Sequence, residues 1–445
     1  MTRWVERPAH RAWLADQVRT LLRFHRATLG ADGRFVDLDD DGRPLATRTG
    51  GQRHQDLLTV ARAVHCYALG DLLGIPGGRA VVERGLETLW VDHRDVMVGG
   101  YFSAVDHAGR AADATKAAYN HAFVILAASS AVAAGHDGAR ELLVDVLGVV
   151  DEHFWVVDDG ASRDSFDRSW RELEAYRGAN ANMHLCEAFL AAADVTGRSD
   201  LARRSLRIAR RLIDGHARLN GWLLPEHYTP DWTPLFDYNR DRPDDPFRPY
   251  GATIGHSLEW SRLIVTARHA VRALASDDPA PAAETAGARP GTDEGGDWVP
   301  PAAEALFARA VDLGWDARHG GLAYTVGWDG APVNADHYWW PVAEGIAAAA
   351  CLAQETGDDR YESWYRIFWE YASTVLIDHK RGGWYPEFDA ANRPKVSPWY
   401  GKPDLYHALQ ASLLPDLPVA ASVAGAIRRA TGGGSAARSP TGRRP

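Results

Sequence analysis

Six segments of the chain have a residue with a strongly polar side chain at their start, and small, apolar residues follow it. The histidines among these first residues suit acid–base chemistry, because imidazole changes its charge near neutral pH. If the segments stand side by side, their first side chains meet around one pocket, which is typical of a functional site. The residues are Arg62, His121, His184, His256, Glu344 and His407.

Further side chains are expected in this pocket from their spacing. Residues three or four apart share one face of a helix. By that spacing, or by a position just ahead of a segment, the pocket also receives Tyr119, Asn180, Phe247, Glu259 and Trp340. Carboxylates, imidazoles, an amide, a guanidinium and aromatic rings together suit a sugar, which offers hydroxyls and an apolar ring face. For Asn182 a role in the pocket and a role as helix N-cap are both open.

The sequence lacks the common motifs for a metal, a nucleotide or a covalent nucleophile. His184 and Glu187 have the spacing of two ligands on one helix face. His256 and Glu259 have the same spacing. However, HExxH is missing and Glu187 falls among apolar residues, so we predict no catalytic metal. GxSxG, GxGxxG and P-loop sequences are missing as well, and the three cysteines lie in apolar stretches, so no cofactor is expected.

The segments that carry these residues have the length and composition of helices. They are rich in alanine and apolar all round, and most end in glycine; they cover 61–74, 120–135, 183–197, 255–270, 343–357 and 406–415. Amphipathic stretches such as 202–217 and 361–377 alternate with them and suit a solvated outer layer. Six inner and six outer helices predict an all-α (α/α)6 barrel. An open α-solenoid is the alternative, but its concave face should be polar.

Short β-hairpins are predicted in the loops between the helices. A glycine, an alternating aromatic strand and an Asp, Gly or Asn turn recur at 32–44, 99–111, 320–332 and 382–394, with a diverged copy at 220–232. Residues 276–297 are rich in Pro, Ala, Gly and acidic residues and indicate a flexible insertion. We therefore expect one barrel domain over residues 1–429 and a disordered tail over 430–445.

Composition excludes several classes of partner. The formal charge of the 445-residue chain is −10 and no Lys/Arg-rich run lies in the folded part, which argues against nucleic acid as a partner. The N-terminus lacks an apolar signal region and no apolar run reaches the length of a membrane span, so we expect a cytoplasmic protein without membrane contact. A monomer or homodimer is expected.

Four motifs in the expected order resemble the N-acylglucosamine 2-epimerase superfamily. They are RGANANMH, AYNHAF, GHSLEWSRL and GKPDLYHAL, and the resemblance covers about residues 10 to 415. It implies the (α/α)6 barrel and an acid–base pair formed by His256 and His407. The substrate contacts that it implies are Arg62, Tyr119, Asn180, His184, Glu259, Trp340 and Glu344.

The resemblance also implies an activity. Ser-Arg-Leu after GHSLEW is most similar to the mannose isomerase branch, which implies cofactor-independent interconversion of D-mannose and D-fructose through a cis-enediol. Which of His256 and His407 moves the carbon proton stays open. The alternatives within the family are a 2-epimerase of the N-acylglucosamine or cellobiose type and a sulfoquinovose isomerase. Outside it, a glycoside hydrolase using Glu259 and Glu344, or a non-catalytic sugar-binding protein, remains open.

Overall fold

The structure is a computed structural model, and it describes residues 2–45, 54–275, 296–395 and 400–432. Helices dominate these residues. They are α1 (Pro8–Phe24), α2 (Leu57–Leu72), α3 (Arg79–Thr88), α4 (Ala118–Ala134), α5 (Ala139–Val149), α6 (Ala179–Thr196), α7 (Ser199–Ala209), α8 (Ile254–Ala275), α9 (Val299–Gly314), α10 (Trp339–Thr356), α11 (Asp359–Tyr371), α12 (Tyr406–Leu413) and α13 (Val423–Gly432). No helix in the described residues is long and apolar enough to cross a lipid bilayer.

The even-numbered helices from α2 to α12 form a closed inner ring. Each contacts the next one along the chain, and α12 contacts both α10 and α2, which closes the circle. The odd-numbered helices from α1 to α11 form the outer layer: α3, α5, α7, α9 and α11 each pack on the inner helix that precedes them, and α1 packs on α12. The predicted (α/α)6 barrel is therefore confirmed, and the solenoid alternative is wrong.

The inner helices pack closely because they are rich in alanine. Helix α4 is buried on every side from Ala118 to Ala131 apart from Tyr119, so its sequence AYNHAFVILAASSA shows no polar stripe. Alanine favours the helix and lets neighbouring backbones approach. Outer helix α7 instead has one apolar face and an arginine-rich face. Helices α4 and α6 end at Gly135 and Gly197, whose φ of 77° and 73° lies in the left-handed region that favours glycine.

Short strands fix the N-terminal ends of the inner helices. The strands are β1 (Gln55–Asp56), β2 (Ala104–Val105), β3 (Ala111–Asp113), β4 (Lys116–Ala117), β5 (Trp155–Val156), β6 (Ala161–Ser162), β7 (Ser165–Phe166), β8 (Arg177–Gly178), β9 (His227–Tyr228), β10 (Ala252–Thr253), β11 (Ala323–Val326), β12 (Pro332–Tyr338) and β13 (Glu387–Phe388). Strands β1, β4, β8, β10 and β12 each end where the next inner helix begins. All pairings are antiparallel, in the orders β1-β2-β3, β10-β11-β12-β13, β4-β7, β5-β6 and β8-β9.

The predicted hairpins occupy this strand layer. Those at 99–111 and 320–332 are confirmed as the β2–β3 and β11–β12 turns. The turns at 32–44 and 382–394 close through single antiparallel bridges, Leu38 with Pro44 and Phe388 with Pro394. In the diverged copy, the turn follows β9 and closes at Pro234. The strand layer therefore defines one end of the barrel, where the first side chains of the inner helices lie.

Two boundaries differ from the sequence expectations. Helix α6 begins at Ala179 rather than near Met183, because Gly178 at the end of β8 is its N-cap. Helix α13 packs against α2, α4 and α6 and continues to Gly432, so residues 430–432 of the predicted tail are helical. The rest of that tail, 433–445, and residues 276–295 of the predicted insertion lie outside the described residues.

Candidate active site

Two histidines and one indole form the centre of the candidate site. His256 in the first turn of α8 and His407 in the first turn of α12 both lie against Trp340 of α10, with ring centroids 5.1 and 5.7 Å from the indole. Gly255 makes room for this arrangement, because a Cβ there would lie 2.2 Å from Cζ3 of Trp340. The sequence prediction that these side chains meet at one end of the barrel agrees with this geometry.

Each histidine is hydrogen-bonded to a buried carboxylate through Nδ1. Nδ1 of His256 lies 2.9 Å from Oε1 of Glu226, and Nδ1 of His407 lies 2.9 Å from Oε1 of Glu344. A carboxylate only accepts hydrogen bonds, so Nδ1 of each ring carries a proton and Nε2 remains for the substrate. Glu226 was missed by the sequence analysis, because it precedes β9 in a loop rather than starting an inner helix.

The two carboxylates differ in their surroundings. Oε2 of Glu344 accepts a hydrogen bond of 3.1 Å from Nη2 of Arg262, a buried residue two turns into α8. Burial opposes ionisation of Glu344, but the charge of Arg262 and the hydrogen bond with His407 outweigh it and lower the pKa of Glu344. Glu226 is likewise buried, and its side chain contacts His256. The sequence analysis did not single out Arg262 as a pocket residue.

A second polar network joins Arg62, Tyr119 and Asp404. Nη2 of Arg62 donates to the Tyr119 hydroxyl at 3.0 Å, and Nη1 lies 3.7 Å from Oδ1 of Asp404. Oδ2 of Asp404 accepts from Nε1 of Trp339 at 2.8 Å and from the backbone N–H of His407 at 3.0 Å. Asp404 thus orients the start of α12 as a helix cap does. Its position three residues before His407 is the signal by which the sequence analysis could have found it.

Glu259 and His184 lie deeper, below these groups. Glu259 is fully buried, and neither of its carboxyl oxygens has a hydrogen-bond partner among the described residues. Burial, followed by the negative charges of Glu344 and Glu187, raises the pKa of Glu259 well above its ordinary value. The His184 ring packs edge-on against Tyr119 at 4.9 Å, and burial lowers the pKa of His184 to about 4. Burial therefore favours the neutral form of both side chains.

The two asparagines of α6 have different roles. Asn180 lies four residues before His184 on the helix, is half-buried, and has an Oδ1 without a partner among the described residues. Asn182 points the other way: its Oδ1 accepts from the Ser162 N–H at 2.8 Å and its Nδ2 donates to the Gly178 carbonyl at 2.9 Å. Asn182 is therefore neither the N-cap nor a pocket residue; it ties β6 to the start of α6.

Two predicted members lie outside the buried pocket. His121 faces away from the barrel axis, where Nδ1 donates to the Ala117 carbonyl at 2.7 Å and Nε2 accepts from the Tyr101 N–H at 3.2 Å. Tyr119, two residues earlier, reaches the pocket in its place, so the expectation for His121 is wrong by half a helical turn. Phe247 is 70% exposed on the loop between β9 and β10. Its contact with a bound sugar stays a prediction.

Comparison with known proteins agrees with the geometry. A family model described as N-acylglucosamine 2-epimerase (GlcNAc 2-epimerase) matches residues 33–411. A D-mannose isomerase of Thermobifida fusca is 44% identical over 429 residues, covering 96% of this chain and 99% of the relative. A D-mannose isomerase of Pseudomonas cannabina pv. alisalensis is 43% identical over 427 residues, covering 95% and 97%. A crystal structure of a D-mannose isomerase superposes with a TM-score of 0.78 at 29% identity, covering 90% of this chain and 96% of that one.

Proposed function

Since the chain belongs to the N-acylglucosamine 2-epimerase family, we propose that it is a sugar isomerase that interconverts D-mannose and D-fructose. The observation that carries this proposal is the pair of histidine–carboxylate couples on one indole, His256 with Glu226 and His407 with Glu344. The high identity to two proteins named D-mannose isomerase over nearly their whole length supports this substrate.

The reaction needs two proton movements, and each histidine supplies one. From the open-chain aldose, Nε2 of one neutral imidazole takes the C2 proton, which leaves a cis-enediol, and returns that proton to C1. The other histidine, as imidazolium, gives a proton to O1 and takes the proton of O2, so that C2 becomes the carbonyl carbon. Acid–base steps of this kind typically contribute about 10²–10⁴-fold each in rate.

The surroundings of the two carboxylates indicate which histidine moves the carbon proton and which moves the oxygen protons. The charge of Glu344 is shared with Arg262 at 3.1 Å, whereas the only hydrogen bond described for the Glu226 side chain is with His256. A carboxylate that is not shared stabilises a cationic imidazole more strongly. We therefore assign the oxygen protons to His256 and the carbon proton to His407.

The remaining groups bind and polarise the sugar. Burial raises the pKa of Glu259 and favours its neutral form, which is able to donate a hydrogen bond to a sugar hydroxyl. Arg62 stabilises the developing negative charge of the enediol oxygens. Trp340 offers an apolar face for stacking between the two histidines. Asn180 and His184 supply further hydrogen-bonding atoms.

The charges favour an uncharged sugar. Arg62 lies 3.7 Å from Asp404, and Arg262 lies 3.1 Å from Glu344, so the charge of each guanidinium is already balanced and the pocket offers no surplus positive charge to a phosphate or sulfonate group. This disfavours the sulfoquinovose alternative. A glycoside hydrolase mechanism is also disfavoured, because Glu344, one of its two carboxylates, is engaged by an arginine and a histidine.

Proton NMR of D-mannose with the enzyme in D₂O tests the proposal. Fructose is the expected product, and the deuterium found at its C1 reports how far the transferred proton exchanges with solvent. Glucose as the product would instead favour a 2-epimerase, which the same two histidines also permit by acting on opposite faces of C2. No reaction with mannose or a panel of neutral aldoses would refute both. The parent and a His407→Ala variant are compared.

A further inference from the structure

A group of possible metal ligands lies on the floor of the pocket. His184, Glu187 and Glu259 are buried, and one ligand atom from each lies within 4.8 Å of those of the other two. The proton transfers described above leave Glu187 without a role. We propose that these three residues bind a divalent transition-metal cation of the zinc type, and that this cation competes with the sugar. The competition rests on the proposed function, whereas the binding does not.

Unpartnered polar atoms point to a missing ligand at this place. Glu259 is fully buried with both carboxyl oxygens unpaired among the described residues, and Nδ1 of His184 is buried and unpaired as well. Buried polar groups are nearly always satisfied, because leaving one without a hydrogen bond costs several kcal/mol at most sites. A cation bound between these side chains satisfies the unpaired atoms of Glu259 and His184 together.

The ligand types and their support fit zinc. One imidazole and two carboxylates make a three-ligand set that leaves a fourth position for water, as in open zinc sites. Glu187 is oriented by two further groups, since the Tyr406 hydroxyl donates to its Oε2 and Nε2 of Gln410 donates to its Oε1 at 3.2 Å. Outer hydrogen bonds of this kind hold metal-binding carboxylates in place.

The pair formed by His184 and Glu187 requires only a small contraction, and Glu259 has a ligand atom within 4.8 Å of both. Nδ1 of His184 lies 3.9 Å from Oε2 of Glu187. Zinc bonds of about 2.0–2.2 Å in a tetrahedron place neighbouring ligand atoms roughly 3.3–3.6 Å apart. Closing this gap takes a few tenths of an ångström, and the carboxyl of Glu259, which no hydrogen bond holds, is able to turn toward the other two.

The charge balance permits a dication. The two guanidiniums that face the cluster, Arg262 and Arg62, lie near Glu344 and Asp404 respectively, so each cation has its own carboxylate. Metal ligands bind as carboxylates, so Glu187 and Glu259 together offer two negative charges to the two positive charges of the cation. The cation occupies the place where sugar hydroxyls would contact His184 and Glu259, so the two ligands exclude each other.

Cobalt(II), a coloured substitute for zinc, tests the site directly. Chelator-treated enzyme is titrated with Co²⁺ and Zn²⁺ while visible absorption and heat are recorded. We expect one cation per chain with the intense bands of four-coordinate cobalt, and at least about 10-fold weaker binding in Glu187→Gln and in Glu259→Gln. His319→Asn is the matched control, because it removes an exposed His–Asp pair (Nδ1 to Oδ2 of Asp316, 3.0 Å) and should leave binding unchanged.

The outcomes separate the two proposals. Circular dichroism and thermal melting show whether each variant folds. If only one of the two glutamate variants folds, that variant is enough for the test. Absence of stoichiometric binding, or binding that both folded variants retain, overturns the metal site. If the variants lose metal binding but saturating mannose does not weaken metal binding to the parent, the metal site stands and only the competition with the sugar is overturned. Site-specific binding in a protein that turns over no aldose refutes the isomerase and leaves the metal site standing.

Discussion

Glu226→Gln is the variant that tests the mechanism most directly. The amide oxygen still accepts a hydrogen bond from Nδ1 of His256, which lies 2.9 Å from Oε1 in the parent, so the ring keeps its orientation while the negative charge is lost. A hydrogen bond to a charged group contributes about 1.5–3 kcal/mol, against about 0.5–1.5 kcal/mol for a neutral one. The difference of roughly 1–2 kcal/mol falls on the reactive form of the enzyme, in which the proposed acid His256 carries the proton that it gives to O1.

This loss translates into kinetics. At about 1.4 kcal/mol per factor of ten, kcat should fall about 5- to 30-fold, while KM changes little because Glu226 contacts the histidine rather than the sugar. Glu226→Asp, which keeps the charge, should recover part of the activity.

Initial rates of fructose formation from mannose over a range of pH provide the measurement. Glu83→Gln serves as the control, because that glutamate is 55% exposed in an ion pair on outer helix α3 and should leave the rate unchanged. A folded Glu226→Gln enzyme with parental kcat, or with a change confined to KM, would show that Glu226 does not support the charge on His256.

The other predictions concern the histidines, the indole, the core and pH. Replacing His256 or His407, the proposed acid–base pair, by alanine should lower turnover by at least about 10²-fold with an unchanged helical circular dichroism spectrum. Gly255→Ala puts a Cβ 2.2 Å from Trp340, so the indole must move and kcat/KM for mannose should fall in steady-state assays. Arg262→Met leaves buried carboxylates without their cation and should cost about 3–5 kcal/mol in urea unfolding. Burial lowers the pKa of His121 to about 4 from 6.5, so the unfolded chain binds its proton first as pH falls. His121 alone should therefore lower stability by about 2 kcal/mol between pH 8 and 5, and a His121→Gln variant should lose correspondingly less stability over this range than the parent.

The barrel architecture explains how one pocket holds so many buried charges. Each inner helix presents its first turn to the same end, so carboxylates from α8, α10 and α6 meet guanidiniums from α2 and α8 within the ring. The alanine-rich remainder of each helix needs no polar partner and packs tightly below. Rigid packing of this kind holds acid–base groups in fixed positions, which acid–base catalysis requires.

Local patterns in the sequence were enough for the fold and for most side chains that line the candidate pocket. The alanine-rich segments and their terminal glycines indicated the inner helices, because helix propensity and apolar periodicity act over a few residues. The same spacing identified His256, His407 and Trp340 and put Glu259 on the face of His256. These relations lie within one or two helical turns, where the backbone geometry alone fixes which side chains are neighbours.

Only the tertiary structure decided which groups pair. Glu226 lies 30 residues before its partner His256, and Glu344 lies 63 residues before its partner His407. These pairs form only because the helices pack in a ring, and no local pattern predicts how far each helix is rotated about its own axis. The same rotation turned His121 out of the pocket, since half a helical turn separates facing the axis from facing the outer layer. Side-chain type and spacing are local properties, whereas the partner of a buried charge depends on how distant segments pack.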